Sequence, residues 1–199
     1  MTRFHRSAAV LAAAGLVALI LPQDLPAQTA AAKAELPVLV TSCGQSNAPT
    51  TIKIVLQRLK MAYDIDALAT PETLKAKPYK TIIITMGASL KGMGAAGIQI
   101  EDELARAAAL IAEARKQGIK IIGAHIEGMK RRSQGAAAGD TTDEQSIDAV
   151  APNSAILLVY KEGNGDGRFS TIAGAKGIPL IEFEKTMDLI PTLEKLFAK

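Results

Sequence analysis

With 199 residues the chain is long enough for one well-buried core and short for two, so a single domain is the default. Hydrophobic residues at 48% and charged residues at 22% exclude a disordered chain; a formal charge of only +3, with aromatics at 4% and no Trp, excludes a basic, base-stacking nucleic-acid binder. The one basic cluster, Lys130-Arg131-Arg132, is too small for a polyanion stripe and reads as a solvated loop.

The first element in chain order is a leader. Arg3 and Arg6 supply positive charge, Ser7 to Leu21 form an apolar run of fifteen residues, and Pro22 opens a polar break followed by small residues suited to a signal peptidase. The run falls short of the ~18 to 20 residues that a spanning helix needs. Cleavage between Ala27 and Ala32 is therefore expected, with a retained anchor as the alternative. Residues 1–32, and His5 with them, are set apart from the fold, and 33–199 are expected to form one domain exported to the periplasm or beyond, free of the membrane after cleavage. The lone Cys43 can make no internal disulfide. Val40-Thr41-Ser42-Cys43 loosely resembles a lipobox, but Cys43 lies 22 residues past Leu21, too far from the apolar run for that processing.

From Leu36 onward, apolar runs of strand length alternate with segments of helical period. The runs cover 36–41, 81–86, 120–125, 155–160 and 178–183, with a weaker one at 63–68; they are continuous rather than alternating, as in strands covered on both faces. Between them, Ile52, Val55, Leu56 and Leu59 share one helix face, and so do Leu104, Ala107, Ala108 and Ile111. Thr142 to Gln145 reads as a capping box for a helix ending before Pro152. Gly118 and Gly177, each after a Lys and just before a strand, read as left-handed helix caps. Asp188 is a candidate cap for a last helix that tolerates Pro191 in its first turn. This alternation predicts an α/β fold: a doubly wound, mostly parallel sheet of five or six strands with helices on both faces. A flavodoxin-like order is expected because the weak second strand suits an edge, with a Rossmann-like order as the alternative.

In such sheets ligands bind beyond the carboxyl ends of the strands. The loops there are long, polar and rich in Gly: 42–47, 87–92, 125–128 and 161–167, against minimal turns at Gln117-Gly118 and Lys176-Gly177. Candidate ligand-binding residues are Ser42, Cys43, Gly44, Gln45, Ser46 and Asn47, then Gly87, Ser89 and Lys91, then His125 and Glu127, and last Lys161 and Asn164. Gly44 permits close backbone approach, Ser46 or Asn47 can cap the helix that Pro49 helps open, and free N–H groups there would favour an anion. Cys43 reads as a small buried residue rather than a nucleophile, because nothing places the one remaining histidine beside it. Gly92 to Gly97 spell G-x-G-x-x-G but start six residues after Met86, too late for a dinucleotide cradle, and read as a mobile loop. Gly163 to Gly167 lack the spacing and closing Glu of a calcium loop, and scattered acids with one His and one Cys form no metal cluster. No cofactor and no metal are expected.

Gly44-Gln45-Ser46-Asn47, after a strand and before a helix, resembles the nucleophile block of SGNH hydrolases, in particular the sialate O-acetylesterase-like carbohydrate esterases. That resemblance implies Ser46 as nucleophile, with His125 as its base from an unusual position. The sequence departs from the pattern elsewhere: Gly87-Ala88-Ser89-Leu90 stands where Gly-x-Asn-Asp belongs, and no Asp-x-x-His occurs near the C-terminus. A serine without a base is a weak nucleophile. Over nearly the whole mature chain, the stretches 37–46, 68–98, 123–132 and 159–180 resemble an uncharacterised family of secreted bacterial proteins, a domain of unknown function, which implies export and one domain. The expected function is binding of a small polar or anionic molecule at the strand-end crevice. A serine esterase using Ser46, and a structural or protein-interaction role without a small ligand, are the alternatives.

Overall fold

The computed structural model describes residues 33–132 and 141–198. The expected leader, with its cleavage region and His5, lies outside the described residues. The six apolar runs become six strands: β1 (Val38–Cys43), β2 (Tyr63–Ile65), β3 (Thr81–Met86), β4 (Lys120–His125), β5 (Ile156–Tyr160) and β6 (Leu180–Phe183). All pair in parallel in the order β2-β1-β3-β4-β5-β6, which is the flavodoxin-like order extended by one strand. The three-residue β2 takes an edge, as its weak pattern predicts, because a short strand is tolerated where only one side has to pair.

Seven α-helices are seen among the described residues: α1 (Ala48–Arg58), α2 (Pro71–Ala76), α3 (Leu90–Ala96), α4 (Ile100–Lys116), α5 (Thr142–Val150), α6 (Arg168–Lys176) and α7 (Leu189–Phe197). Because successive strand residues point to opposite faces, the sheet carries two cores. Leu39, Ile82, Ile84, Ile121, Leu157 and Val159 pack with residues of α2, α4, α5 and α6. Val38, Val40, Ile83, Ile122, Ile156 and Leu158 pack on the other face with α1 and α7. Each fully buried Ile or Leu contributes about 1.5–3 kcal/mol by leaving water.

The structure corrects several local expectations. Helix α4 turns Glu103, Ala107, Leu110, Ile111 and Ala114 inward and leaves Ala108 exposed, so its buried stripe begins with a carboxylate. The cap of α5 is Thr141 rather than Thr142, its hydroxyl accepting the Glu144 N–H at 3.3 Å. Asp188 takes the cap position of α7 but makes no side-chain cap to it; its carboxylate accepts the Lys185 N–H instead. The Gly92–Gly97 run is a helix end rather than a mobile loop. Ser89 accepts the Gly92 N–H at 3.1 Å and Gly97 closes α3 at φ 69°. Gly92 is required there by packing, since a Cβ would stand 2.0 Å from the Gln45 carbonyl oxygen.

Candidate functional site

Since every strand runs the same way, the loops after β1, β3, β4 and β5 all leave from one edge of the sheet. They form a contiguous rim. At its β1–β3 end the chain turns sharply at Gly44 (φ 108°) and Gln45 (φ 54°), and Gln45 pairs with Ala88 as an isolated antiparallel bridge. Ser89 N–H donates to the Gly44 carbonyl at 2.6 Å, stitching the loops together.

The backbone donors of this corner are matched from within. Glu103, fully buried on α4, accepts from Gly44 N–H at 2.7 Å and Gln45 Nε2 at 2.8 Å. Its charge is balanced by Arg106 one turn on, whose Nη2 and Nε reach the two carboxylate oxygens at 2.9 Å each. Arg106 also donates to the carbonyls of Ala69 and Ser42. Asp143 accepts the Ala88 N–H at 2.8 Å, and Ser146 bridges Gly87 N–H to the Cys43 carbonyl. Burial lifts the Asp143 carboxyl above the ordinary range although the Ala88 N–H opposes it. Two protein carboxylates thus stand where an anionic ligand would seek donors.

The first turn of α1 is matched as well. Ser46 Oγ accepts the Ala48 N–H at 3.3 Å, Pro49 has no N–H, and Thr50 N–H goes to the Asn47 carbonyl, while the Asn47 side chain makes no cap. Ser42 and Cys43 are fully buried, and burial pushes the Cys43 thiol up to about 12. Ser46 opens the helix that packs on the Val38–Val40 face of the sheet, whereas His125 packs toward Phe169 on the opposite face. The two therefore do not form a nucleophile–base pair.

His125 sits at the end of β4, wholly buried, its ring 5.0 Å from that of Phe169. Nε2 lies 3.0 Å from the Arg131 carbonyl, an acceptor only, so Nε2 carries the proton and Nδ1 is a bare acceptor with no hydrogen-bond partner. Burial pulls the imidazole down to about 4, with the nearby Arg132 charge acting the same way. Arg132 corrects the expectation of a solvated basic loop. Its side chain is buried, bonded to Glu144 at 2.6 Å, to Asp166 at 2.6 Å and to the Gly163 carbonyl. Arg168 joins the same network through Glu144 and Asp148. The exposed member is Lys130, and Arg131 lies over Gly87 with Nη1 on the Ala88 carbonyl at 3.0 Å.

Two tight turns meet at this end of the rim, Gly128–Arg131 after β4 and Lys161–Asn164 after β5. Beside them Met129, Glu162, Gly165 and Asp166 line an open depression of about 310 Å³. Another depression, of about 270 Å³, lies at the far edge among Arg115, Ile119, Ile121 and Asn153–Ala155. Asn164 anchors the second turn: its Oδ1 accepts Phe169 N–H at 2.8 Å and its Nδ2 reaches Glu182 and Ser170. Lys161 pairs with Glu184 in solvent, Glu127 lies 3.6 Å from Arg131, and Lys91 is exposed on α3.

The rim therefore gathers Gly44, Gln45, Gly87 and Ser89 at one end and His125, Asn164 and Glu127 nearer the other, while Lys91, Asn47 and Lys161 stay on the exterior. Glu103, Arg106 and Ser146 carry no sequence expectation, while Arg132 is expected in a solvated loop and Asp143 and Glu144 only in a capping box. One signal was legible. Glu103 lies at i−4 and i−7 from Ala107 and Leu110, a charge on an apolar stripe, and such a residue must be paired. Among the described residues no group of three or more His, Cys, Asp or Glu could hold a metal ion.

Fold and rim together define a doubly wound α/β protein with a polar, internally braced strand-end edge. The model of a family described as a domain of unknown function (DUF6305) matches residues 35–197, so the chain belongs to that family. No curated protein sequence matches the chain. A GDSL-like lipase from Bacteroides thetaiotaomicron is 14% identical, with a TM-score of 0.31 over 73% of this chain and 66% of the lipase. An acetyl xylan esterase is 11% identical at a TM-score of 0.38, covering 77% of this chain and 80% of its own. A GDP-L-fucose synthetase from Naegleria fowleri, bound to NADP, is 6% identical at 0.39, and the chain spans 50% of that protein's length and 75% of its own. Likeness at this level carries nothing about activity.

Proposed function

We propose that this is an exported α/β protein that binds a small polar molecule in the depression at the β4–β5 end of the rim. The observation that carries the reading is the depression itself, about 310 Å³, with Glu162 and Asp166 in its walls beside the apolar Met129. It is near the lower size of small-ligand sites and has their mixture of apolar surface and few polar groups. The wall is firm because Asp166 is tied to the buried Arg132. The acidic walls of the depression favour a neutral or cationic ligand, and at the β1–β3 end the donors an anion would use are already matched by Glu103 and Asp143. Export rests on the leader of residues 1–32. No helix among the described residues is long and apolar enough to cross a membrane.

A thermal-shift screen against amines, polyols and short peptides tests the binding. A ligand at a hundred times its Kd should add about 2.7 kcal/mol of stability. Glu162→Gln should remove that shift without lowering the unliganded melting point. Silence across the library, or a shift that Glu162→Gln leaves intact, removes this site. Mass spectrometry of the exported chain tests the leader, and an unprocessed N-terminus would contradict cleavage.

A further inference from the structure

Below the depression, His125 has one satisfied nitrogen and one that faces backbone. A Cβ built on Gly163 would stand 2.7 Å from both Nδ1 and Cε1, so the Lys161–Asn164 turn is seated directly against that side of the ring. The Gly128 Cα lies 3.4 Å from that same Cβ position, so the two turns pack on each other beside the ring. A neutral imidazole tolerates this, since a bare Nδ1 needs no room for hydrogen. An imidazolium is disfavoured, because burial strips its hydration and no side chain is bonded to Nδ1 to replace it.

The charges around the ring make a proton harder to hold in place. Arg132 is the nearest, its guanidinium 5.6 Å from the Phe169 ring that also packs on His125. Glu144 of α5 and Asp166 of the β5 loop are both engaged by Arg132, and Arg168 of α6 is engaged by Glu144. Arg131 directs its guanidinium to Ala88 and Glu127, and Glu162 lies over Gly128. No carboxylate is bonded to Nδ1, so a charged ring regains its hydration when the Gly163 turn seated against it moves.

We propose that His125 is an acid-sensitive latch under the rim: a proton taken from solvent onto Nδ1 displaces the Lys161–Asn164 turn and opens the wall that Glu162, Gly165 and Asp166 give the depression. Acidification then releases whatever the depression holds. The functional consequence rests on the binding reading above, but the movement of the turn does not.

Amide hydrogen exchange on the full chain, corrected for intrinsic rates, tests the latch without any ligand. A loss of ligand binding and a loss of the latch are thereby separable. The informative amides are those of Arg132, Gly165, Gly167 and Phe169, which bond to Met129, Glu162, Asn164 and the Asn164 side chain. With the ordinary histidine value of 6.5 in the open state and about 4 in the closed one, the open population should rise roughly fifty-fold between about pH 7 and about pH 4.5. In His125→Gln, whose amide can still donate to the Arg131 carbonyl, that rise should vanish. Gly163→Ala, which thrusts a methyl at the ring, should expose the same amides already at neutral pH. Retention of the acid-dependent rise in His125→Gln overturns the proposal, as does an equal loss of protection in β3 and α4, or full protection at neutral pH in Gly163→Ala.

Discussion

Removing the Glu103 carboxylate should be among the most damaging single changes this chain can suffer outside its apolar cores. The side chain has no exposed surface and accepts four hydrogen bonds, two from the β1 loop and two from Arg106. In Glu103→Ala, Gly44 N–H loses its acceptor, Gln45 Nε2 keeps only the Ala67 carbonyl at 2.9 Å, and Arg106 keeps two carbonyls but no counter-charge. An unpaired backbone donor costs about 1–3 kcal/mol and breaking a buried ion pair about 3–5, terms that overlap because the same atoms are counted in both. The expected loss is therefore about 3–5 kcal/mol. Equilibrium urea unfolding, with circular dichroism confirming the folded baseline, measures it. The companion variant, Glu103→Leu with Arg106→Met, removes both charges and should recover part of that loss, since apolar replacements of a buried pair are often neutral or better. A loss under about 1 kcal/mol for Glu103→Ala would mean that the corner holds without its carboxylate, and the internal-anion account of the β1–β3 end would be wrong.

Glycines within α3 should behave oppositely. Gly92→Ala puts a methyl 2.0 Å from the Gln45 carbonyl and should cost about 2 kcal/mol or more, whereas Gly94→Ala meets nothing within 4 Å and should gain up to about 1 kcal/mol in helix propensity, both read by thermal unfolding. Overall stability should also fall in acid through His125. Its native value of about 4 lies below the unfolded 6.5, so its contribution is intact above the unfolded value and lost as pH falls through the native one, about 3 kcal/mol in all. The difference between wild type and His125→Gln in urea midpoints at neutral and acid pH isolates that part from the carboxylates, and parallel pH profiles would contradict it. Ser46→Ala should change stability by less than about 1 kcal/mol, because only the Ala48 N–H loses its acceptor, and should leave any acetyl-ester hydrolysis by the purified protein unchanged. Activity that disappears with Ser46 would restore the esterase alternative.

The strands were legible because they are buried on both faces: 81–86 and 120–125 coincide with β3 and β4 residue for residue. The interior β1 begins and ends two residues later than its apolar run, at Val38–Cys43, and the edge strands are blurred further. In β6 the polar Glu182 and the half-buried Ile181 reflect one free side, and residues 178 and 179 belong to the approach rather than the strand. Helix α3 has no clear local signal because Gly92 and Gly94 weaken its propensity, and the Ser89 cap, the Gly97 C-cap and the contact with Gln45 fix it. Arg132 was misread for a different reason. Its neighbours in sequence are Lys130 and Arg131, but its partners Glu144 and Asp166 lie 12 and 34 residues away, a pairing that no local pattern records.

The same non-local chemistry bears on where a ligand could sit. In a flavodoxin-like order the crevice is expected between β1 and β3, where successive connections depart to opposite faces. Here that place is filled by the Gln45–Ala88 bridge, and the donors that make such a crevice useful are bonded to Glu103, Asp143 and Ser146. An incoming anion would have to displace a carboxylate already matched to the same N–H, gaining little from the exchange. Among the described residues, the loops after β4 and β5 are not bridged in this way. They meet through glycine backbone at Gly128 and Gly163, over a histidine with an unmatched nitrogen, and the open depression lies beside them. The strand-end rule thus holds for the edge of the sheet, while the internal carboxylates favour its β4–β5 end as the place for binding.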